Sequence, residues 1–556
     1  MNFLARIFEN LEQQPERTAV VEVHGTELRR HDGGALLELI ARARAFIAGA
    51  GVKPGDRVAL LAPNSARWVC ADLAALACGG IAVPLYDKQE PKELAVMLRS
   101  AKPSLLLVGN DALAASIREV WPEHCRIAAF DEVFETQPGH AGLHEIAPQD
   151  TVAIIYTSGT SGVPKGVMLS RANMDFMIPR TIDRLGKVAV ARDQPDRVFH
   201  FLPFCFAASR MMLWTQLSRP NPIMVSTDLA NLVQEMATAR PNYFLNVPAV
   251  LERIRNGVGA KLRERGGIAL GLYERGIAGH RALAEGKAGV FDRVAVAVAE
   301  KVVFGKIKRT IGENLDFLIS GSAPLSEETQ RWFQMLGIPV YQAYGLTETT
   351  GIVSLDEPDR VVPGRVGIPL EGVQTRVSDE GELCVRGPNI FAGYWEMPEE
   401  TAKVLREGWF HTGDQVDIER DNLRIIGRIK NLIVPESGHN IAPEPLEEKF
   451  LAACPVATQC MVVGHARPFV AILVPGKPPA DAVERALELV NADLPAYRKI
   501  RRAIFVDEAF SVDNGLLTAN QKIKRAVIEK HFASAIDAAY DAAKAERQRA
   551  GANAAV

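Results

Sequence analysis

A chain of 556 residues is too long for one hydrophobic core, so at least two domains are expected, one of them large. Its 64 Lys and Arg against 67 Asp and Glu leave no basic field to hold nucleic acid and no acidic tail, so any bound anion must be held locally. With 47% hydrophobic and 24% charged residues the chain should fold throughout. The seven cysteines are scattered, without a C-x-x-C or a His pair at metal spacing, and read as reduced thiols of a cytoplasmic protein. The start, MNFLARIFENLEQQPERTAV, has charges inside its apolar stretch, and no later segment offers about 18 uncharged apolar residues. The protein is expected to be soluble, or at most peripheral to a membrane.

Along the chain, short apolar runs alternate with helical periodicity: VALLA near 58–62, a helix through WVCADLAALACGG, then IAVPL, KELAVMLRSA and SLLLVG. That alternation predicts an α/β domain with a largely parallel sheet. A second α/β stretch follows from Thr151 to about Leu325. Between Val258 and Gly312 a run rich in Ala, Arg, Lys and Glu predicts two or three surface helices, the last with Val303, Ile307 and Ile311 on one stripe and Lys306, Lys308 and Arg309 elsewhere. From Val361 to Ile426 short strands with Gly and Pro turns suggest a small β-barrel-like subdomain. After Arg428 begins a tail of roughly 100 residues, the size of a separate domain. The Ala-rich end, DAAYDAAKAERQRAGANAAV, lacks a strong apolar stripe and is expected to fray.

The segment richest in chemistry is Tyr156 to Gly166, YTSGTSGVPKG, directly after the apolar run VAII. Gly159, Gly162 and Gly166 let the backbone approach a ligand closely, while Thr157, Ser158, Thr160, Ser161 and Lys165 offer donors to phosphate oxygens. It is neither G-x-x-x-x-G-K-[ST] nor G-x-G-x-x-G. A Gly/Ser stretch of unspecified order would be read as a surface turn, but here the order is specific.

YTSGTSGVPKGV resembles the phosphate loop of the adenylate-forming superfamily, which includes acyl-CoA synthetases, peptide-synthetase adenylation domains and luciferases. Further motifs resemble that family in order: Gly321-Ser322-Ala323-Pro324; Tyr341 to Thr349, with Gln342, Ala343, Tyr344, Gly345, Thr347 and Glu348; Gly408 to Asp414; Gly427-Arg428-Ile429-Lys430; and Asn520-Gln521-Lys522. The APEPLE segment, YWEMPEETAKVLREGWFHTGD and EKVVFGKIKRTIGENLDFLISGSAPL resemble long-chain acyl-CoA synthetases.

The resemblance implies an α/β adenylate-forming fold: a large N-terminal domain over 1–427, made of two α/β subdomains and a small β-barrel, and a small mobile C-terminal domain over 428–556. It implies activation of a medium- or long-chain fatty acid with ATP and Mg2+ to acyl-AMP, then transfer to coenzyme A. That chemistry needs no protein nucleophile, only two anions brought together and neutralised. The loop would hold the β and γ phosphates with Lys165, Glu348 the magnesium ion, and Thr347 the α-phosphate. Tyr344 would face adenine, Gln342 and the Ser322 region its edge, Asp414 the ribose hydroxyls, and Arg428 ribose or phosphate. Lys522 would bridge the carboxylate and α-phosphate oxygens, with Lys524 its nearest competitor. Lys430 would be the hinge, and Gly438, His439 and Asn440 would line the pantetheine path. Phe206, Met211 and Trp214 are expected in the acyl pocket. Arg171 and Phe206 stand where many relatives carry other residues, which points to an unusual substrate pocket. A basic helix near 300–311 is expected to offer a peripheral membrane contact, and pairing with a second copy stays open. Two other outcomes stay open too: a different acceptor (a carrier-protein thiol, or a substrate hydroxyl giving a lactone), and a catalytically inactive nucleotide-binding protein.

Overall fold

The computed structural model describes residues 2–123, 125–139, 142–157, 164–518 and 522–553, the last seven of these by backbone alone. The chain divides into two compact units. The first comprises Met1–Arg376, Cys384–Thr412 and Ile418–Leu423; the second comprises Val377–Leu383, Gly413–Asp417 and Arg424–Val556. The expected boundary near Gly427 thus lies within the start of the second unit's long segment, and that unit also takes two short pieces from the strand-rich region.

Among the described residues, the first unit holds two large sheets. In the seven-stranded sheet, Ile81–Leu85, Arg57–Leu61, Leu105–Val108 and Arg126–Ala129 lie side by side in parallel. Ile81–Leu85 and Leu105–Val108 are buried at every residue, which is why these runs read as continuously apolar instead of alternating. The crossovers are the helices Ala66–Ala77 (buried at all but Arg67), Pro91–Ala101 and Asp111–Val120, the first two as the sequence pattern predicts. Thr151–Thr157 extends the sheet in parallel beside Ile81–Leu85, and Lys165–Ser170 then turns back antiparallel to it.

The nine-stranded sheet is parallel at its centre, where Ile223–Ser226, Val198–His200, Tyr243–Asn246, Leu318–Ser320 and Val340–Tyr344 follow one another. One face packs against the helical insert Pro248–Arg265, Gly267–Ala284, Val290–Ala299 and Gly305–Gly312. Phe199, Phe244 and Leu318 from the sheet meet Tyr273, Phe304, Ile307 and Ile311 from the insert in one core. The predicted stripe of Val303, Ile307 and Ile311 is buried there.

The second unit is built around a three-stranded sheet, Met461–Val463, Val470–Pro475 and Ile500–Val506. Its C-terminal segment, where the Ala-rich composition suggested fraying, carries a helix from Ala533 to Asn553. Ile536 and Tyr540 anchor it in the core, and the Tyr540 hydroxyl donates to the Phe469 carbonyl at 2.9 Å.

One feature of the first unit's interior is charged. Arg210 and Asp72 form an ion pair with almost no accessible surface on either side chain. Trp214 Nε1 donates to the other Asp72 oxygen at 3.2 Å, and the Arg210 guanidinium lies 4.5 Å from the Trp214 ring centroid. Desolvation pushes the Asp72 carboxyl up to about 6, against the pull of Arg210. A buried charge left alone is costlier than the pair. Asp72→Ala is therefore expected to destabilise the first unit by about 3–5 kcal/mol, read from urea denaturation followed by tryptophan fluorescence. Replacing both partners, Asp72→Leu with Arg210→Met, should recover more than half of that loss.

Candidate active site

The phosphate-loop motif is held at both ends by one strand pair. Thr157 and Lys165 are ladder partners, so the seven residues between them close a loop at the carboxyl end of Thr151–Thr157. Ser158, Gly159, Thr160, Ser161 and Gly162 lie outside the described residues. Gly166 is required by close packing: a Cβ there would stand 2.8 Å from Ile154 Cγ2 and 3.2 Å from Trp395 Cβ.

Lys165 sits at the start of the returning strand with its ammonium 5.0 Å from the Tyr394 ring centroid and 2.6 Å from Glu400. The Tyr394 hydroxyl donates to Glu348 Oε1 at 2.8 Å, so Lys165, Tyr394 and Glu348 form a continuous row. Tyr394 arrives through the two-residue strand Gly393–Tyr394, which pairs with Val167 and Met168. Hydrogen bonds from Lys165 and Lys403 hold the exposed Glu400 carboxyl down to about 2. Sequence reasoning named Lys165 and Glu348 but missed Tyr394 and Glu400. The signal for both lies in YWEMPEE, which begins with Tyr394 and ends with Glu400.

Tyr341 to Glu348 continue from the strand Val340–Tyr344 into a 3₁₀ turn at Thr347–Thr349. Gly345 permits the turn, since a Cβ there would stand 2.4 Å from the Gly351 carbonyl oxygen. Tyr344, Thr347 and Glu348 are partly accessible, as ligand-facing residues need to be. Gln342 is not: on the same strand face but deeper in the sheet, its side chain is buried, and Nε2 donates to Gln330 Oε1 at 2.9 Å. The expected side-chain contact from Gln342 to a base edge is therefore not what this strand presents. Beside it Leu318–Ser320 leads into Gly321-Ser322-Ala323, with Ser322 in the left-handed region at φ 72°, a costly conformation for a residue with a side chain.

Of the expected acyl-pocket residues, Met211 and Trp214 line one small cavity of about 10 Å³ together with Ala207, Arg210 and Thr350. That is room for about one water molecule, so an acyl chain entering here must displace these side chains. Phe206 lies apart from the lining and packs against Tyr86, with ring centroids 5.8 Å apart. Arg210, which no motif signalled, contributes Nε and Nη1 without a hydrogen-bond partner.

The second unit gathers three more of the expected residues. Arg428 Nε meets Asp414 Oδ1 at 2.6 Å, with Asp414 buried. Lys522 follows the described end of the loop after Thr518, whose hydroxyl accepts from the Lys522 backbone N–H at 3.1 Å; Asn520 and Gln521 lie outside the described residues. The residue keeps accessible surface, yet protein around its ammonium displaces water and holds it below the usual lysine value, aided by the charge of Arg428 and opposed by Asp414. Lys430 lies in a 3₁₀ turn, Ile429–Asn431, steadied by Asn431 donating to Glu444. Gly438, His439 and Asn440 form an exposed loop closed by the bridge between Ile433 and Ile441, with the His439 ring stacked 4.0 Å from Tyr497. Arg525, by contrast, is fixed to Glu447 by two hydrogen bonds at 2.8 and 2.5 Å.

Comparison with known proteins gives a consistent picture. The family model of AMP-binding enzymes matches residues 7–395, and that of the AMP-binding enzyme C-terminal domain matches 430–544. The long-chain-fatty-acid–CoA ligase FadD15 of Mycobacterium bovis is 29% identical, over 88% of this chain and 89% of its own. The crystal structure of the anthranilate CoA ligase AuaEII with anthranoyl-AMP shares the fold with a TM-score of 0.76 at 19% identity, covering 96% of this chain and 97% of that one. The o-succinylbenzoate CoA synthetase of Bacillus subtilis, solved with ATP and magnesium, gives a TM-score of 0.72 at 19% identity over 94% and 98%.

Behind the strand that carries Tyr344, Asp356 Oδ2 accepts from the Gln342 backbone N–H at 2.8 Å. Burial pushes its carboxyl from 3.8 to about 7, against that hydrogen bond and the charge of Arg184. Because the folded protein keeps this proton longer than the unfolded chain does, the group's contribution to stability is full below its unfolded pKa and is lost as pH rises through the folded one. Asp356→Asn should remove that loss. The difference in Tm, variant minus wild type, is expected to grow by several degrees between about pH 5 and about pH 8; a constant difference would show that Asp356 titrates normally.

Proposed function

The chain belongs to the family of AMP-binding enzymes and is an adenylate-forming ligase of the acid–thiol type, and from that premise we propose that it activates a medium- or long-chain fatty acid and passes the acyl group to coenzyme A. The observation that carries this reading is the row Lys165, Tyr394 and Glu348 at the neck of the phosphate loop, in a chain whose relatives of matching length are named long-chain ligases. In the first step a carboxylate oxygen bonds to the α-phosphorus of ATP while the bond to the pyrophosphate oxygen breaks. In the second, a thiol sulfur bonds to the acyl carbonyl carbon, AMP leaves, and the thiol proton passes to solvent or a base.

The protein's task in the first step is to offset charge. Lys165 would exchange its partner Glu400 for the β and γ phosphates, joined by the loop from Thr157 to Gly162. The Glu348 carboxylate, oriented by Tyr394 and with lone pairs to spare, suits a hard divalent cation, and magnesium there would neutralise the phosphate oxygens. Thr347 would reach the α-phosphate, and Tyr344 would offer its ring to adenine within walls formed by Gly321, Ser322, Ala323, Ala343 and Gly345. Asp414, with Arg428 beside it, would bind the ribose hydroxyls. Lys522 would meet the carboxylate and α-phosphate oxygens where charge accumulates, and Lys430 would be the pivot that lets Gly438, His439 and Asn440 serve the thiol step. The partly desolvated ammonium of Lys522 favours an anionic partner.

Lys522→Ala is expected to slow acyl-AMP formation by on the order of a hundredfold or more while thioester formation from supplied acyl-AMP persists. Pyrophosphate release and thioester formation, assayed separately, check this; survival of both half-reactions would reassign the role. The acyl cavity is lined by Met211 and Trp214 with Arg210, a cation, as its charged member. An α-ammonium entering it would lack a partner, at a cost of several kcal/mol. Aliphatic acids should thus release pyrophosphate far faster than any amino acid, and preferential turnover of a free amino acid would refute the proposed substrate class.

A further inference from the structure

The helical insert carries two apolar stripes, and the core needs only one. Val296, Ala299, Val303, Phe304, Ile307 and Ile311 face inward and are buried. A second stripe faces solvent: Phe291 is 91% exposed and Val294 56%, followed at helical spacing by the exposed Val298 and Val302. Val290 beside them is 75% exposed. Leu283, at the end of the helix that packs alongside, adds to the same tip of the hairpin. A phenylalanine with nearly its whole ring in water, at the head of a valine stripe, is not explained by packing within the chain.

The charges around this stripe are predominantly positive. Arg293, Lys301, Lys306 and Arg309 are exposed and form no ion pair among the described residues. The acids nearby are already engaged: Asp292 accepts from the Gly289 N–H at 2.8 Å, and Glu300 lies 3.3 Å from His280. This local positive field stands out in a chain whose net charge is −3. No described helix is long and apolar enough to cross a membrane, so any lipid contact here is superficial.

We propose that this face docks onto the surface of an anionic phospholipid bilayer. Phe291, Val294, Val298 and Val302 enter the boundary between headgroups and acyl chains, and Arg293, Lys301, Lys306 and Arg309 meet lipid phosphates, their stems lying along the apolar region. The contact surface therefore extends upstream from the basic segment near 300–311 that the sequence suggested, because Ile307 and Ile311 of that segment are consumed by the core and most of the exposed apolar residues precede it. A second copy of the chain fits the face less well, since pairing it with itself would bring like charges together. The inference goes beyond the proposed reaction, and its test reads binding and not turnover.

The test is co-sedimentation of the full chain with vesicles of phosphatidylcholine alone and of phosphatidylcholine mixed with phosphatidylglycerol. Binding is expected to the mixed vesicles only, and to weaken with added salt. Phe291→Asp with Val294→Asp should weaken it tenfold or more, and Lys301→Ala or Arg293→Ala about fivefold each. Pyrophosphate release with a soluble short-chain acid should be the same in all variants, which shows that they fold. Equal binding by the double variant, or no preference for the anionic vesicles, would overturn the proposal. So would light scattering in which the wild type dimerises, the double variant does not, and neither binds vesicles, because a second copy would then cover the face.

Discussion

The ladder pairing of Thr157 with Lys165 is the constraint on which the rest of the site depends. It makes the chain leave and re-enter the sheet on neighbouring strands, at the carboxyl end of Thr151–Thr157. The same pairing sets Lys165 at the first position of the returning strand, and the bare Gly166 that follows lets Trp395 pack across it. With Trp395 comes Tyr394, and through Tyr394 the carboxylate of Glu348, from a different sheet, is tied to the lysine. Three segments far apart in sequence are thereby tied to one another by a hydrogen bond and a ring.

Behind the polar front the protein keeps its charges matched. Asp72 and Arg210 neutralise each other beside the small cavity of Met211 and Trp214, and Trp214 both donates to the aspartate and lies against the guanidinium. Asp356 is held under the strand of Tyr344 by a backbone N–H and leans toward its neutral form. In both places a polar group is buried where a hydrophobic one would pack, and in both it fixes an element that carries ligand-facing residues. Precision at the site is thus bought with desolvation in the layer beneath it.

The helical insert follows a different logic. Its inner stripe, with the Tyr273 hydroxyl accepting from Trp332 Nε1 and Phe304 packed near Gly276, completes the core of the nine-stranded sheet. Its outer stripe and its cations do nothing for that core. An element can satisfy one partner with each face because the helical repeat separates residues 303, 307 and 311 from residues 291, 294, 298 and 302.

The order of elements, the parallel character of the first sheet, the inward stripe of the insert and the motif residues themselves were legible from the sequence, because each depends on local periodicity or on a short ordered string. VALLA, IAVPL and SLLLVG announce buried strands without help from the rest of the chain. What the tertiary structure alone decided are relations between distant residues: that Glu400 and not a solvent ion partners Lys165, that Tyr394 orients Glu348, that Gln342 turns inward to Gln330, and that Phe206 stands outside the small cavity lined by Arg210, Met211 and Trp214. Strand alternation and sheet register set those contacts, and register depends on packing across hundreds of residues, which no window of sequence contains.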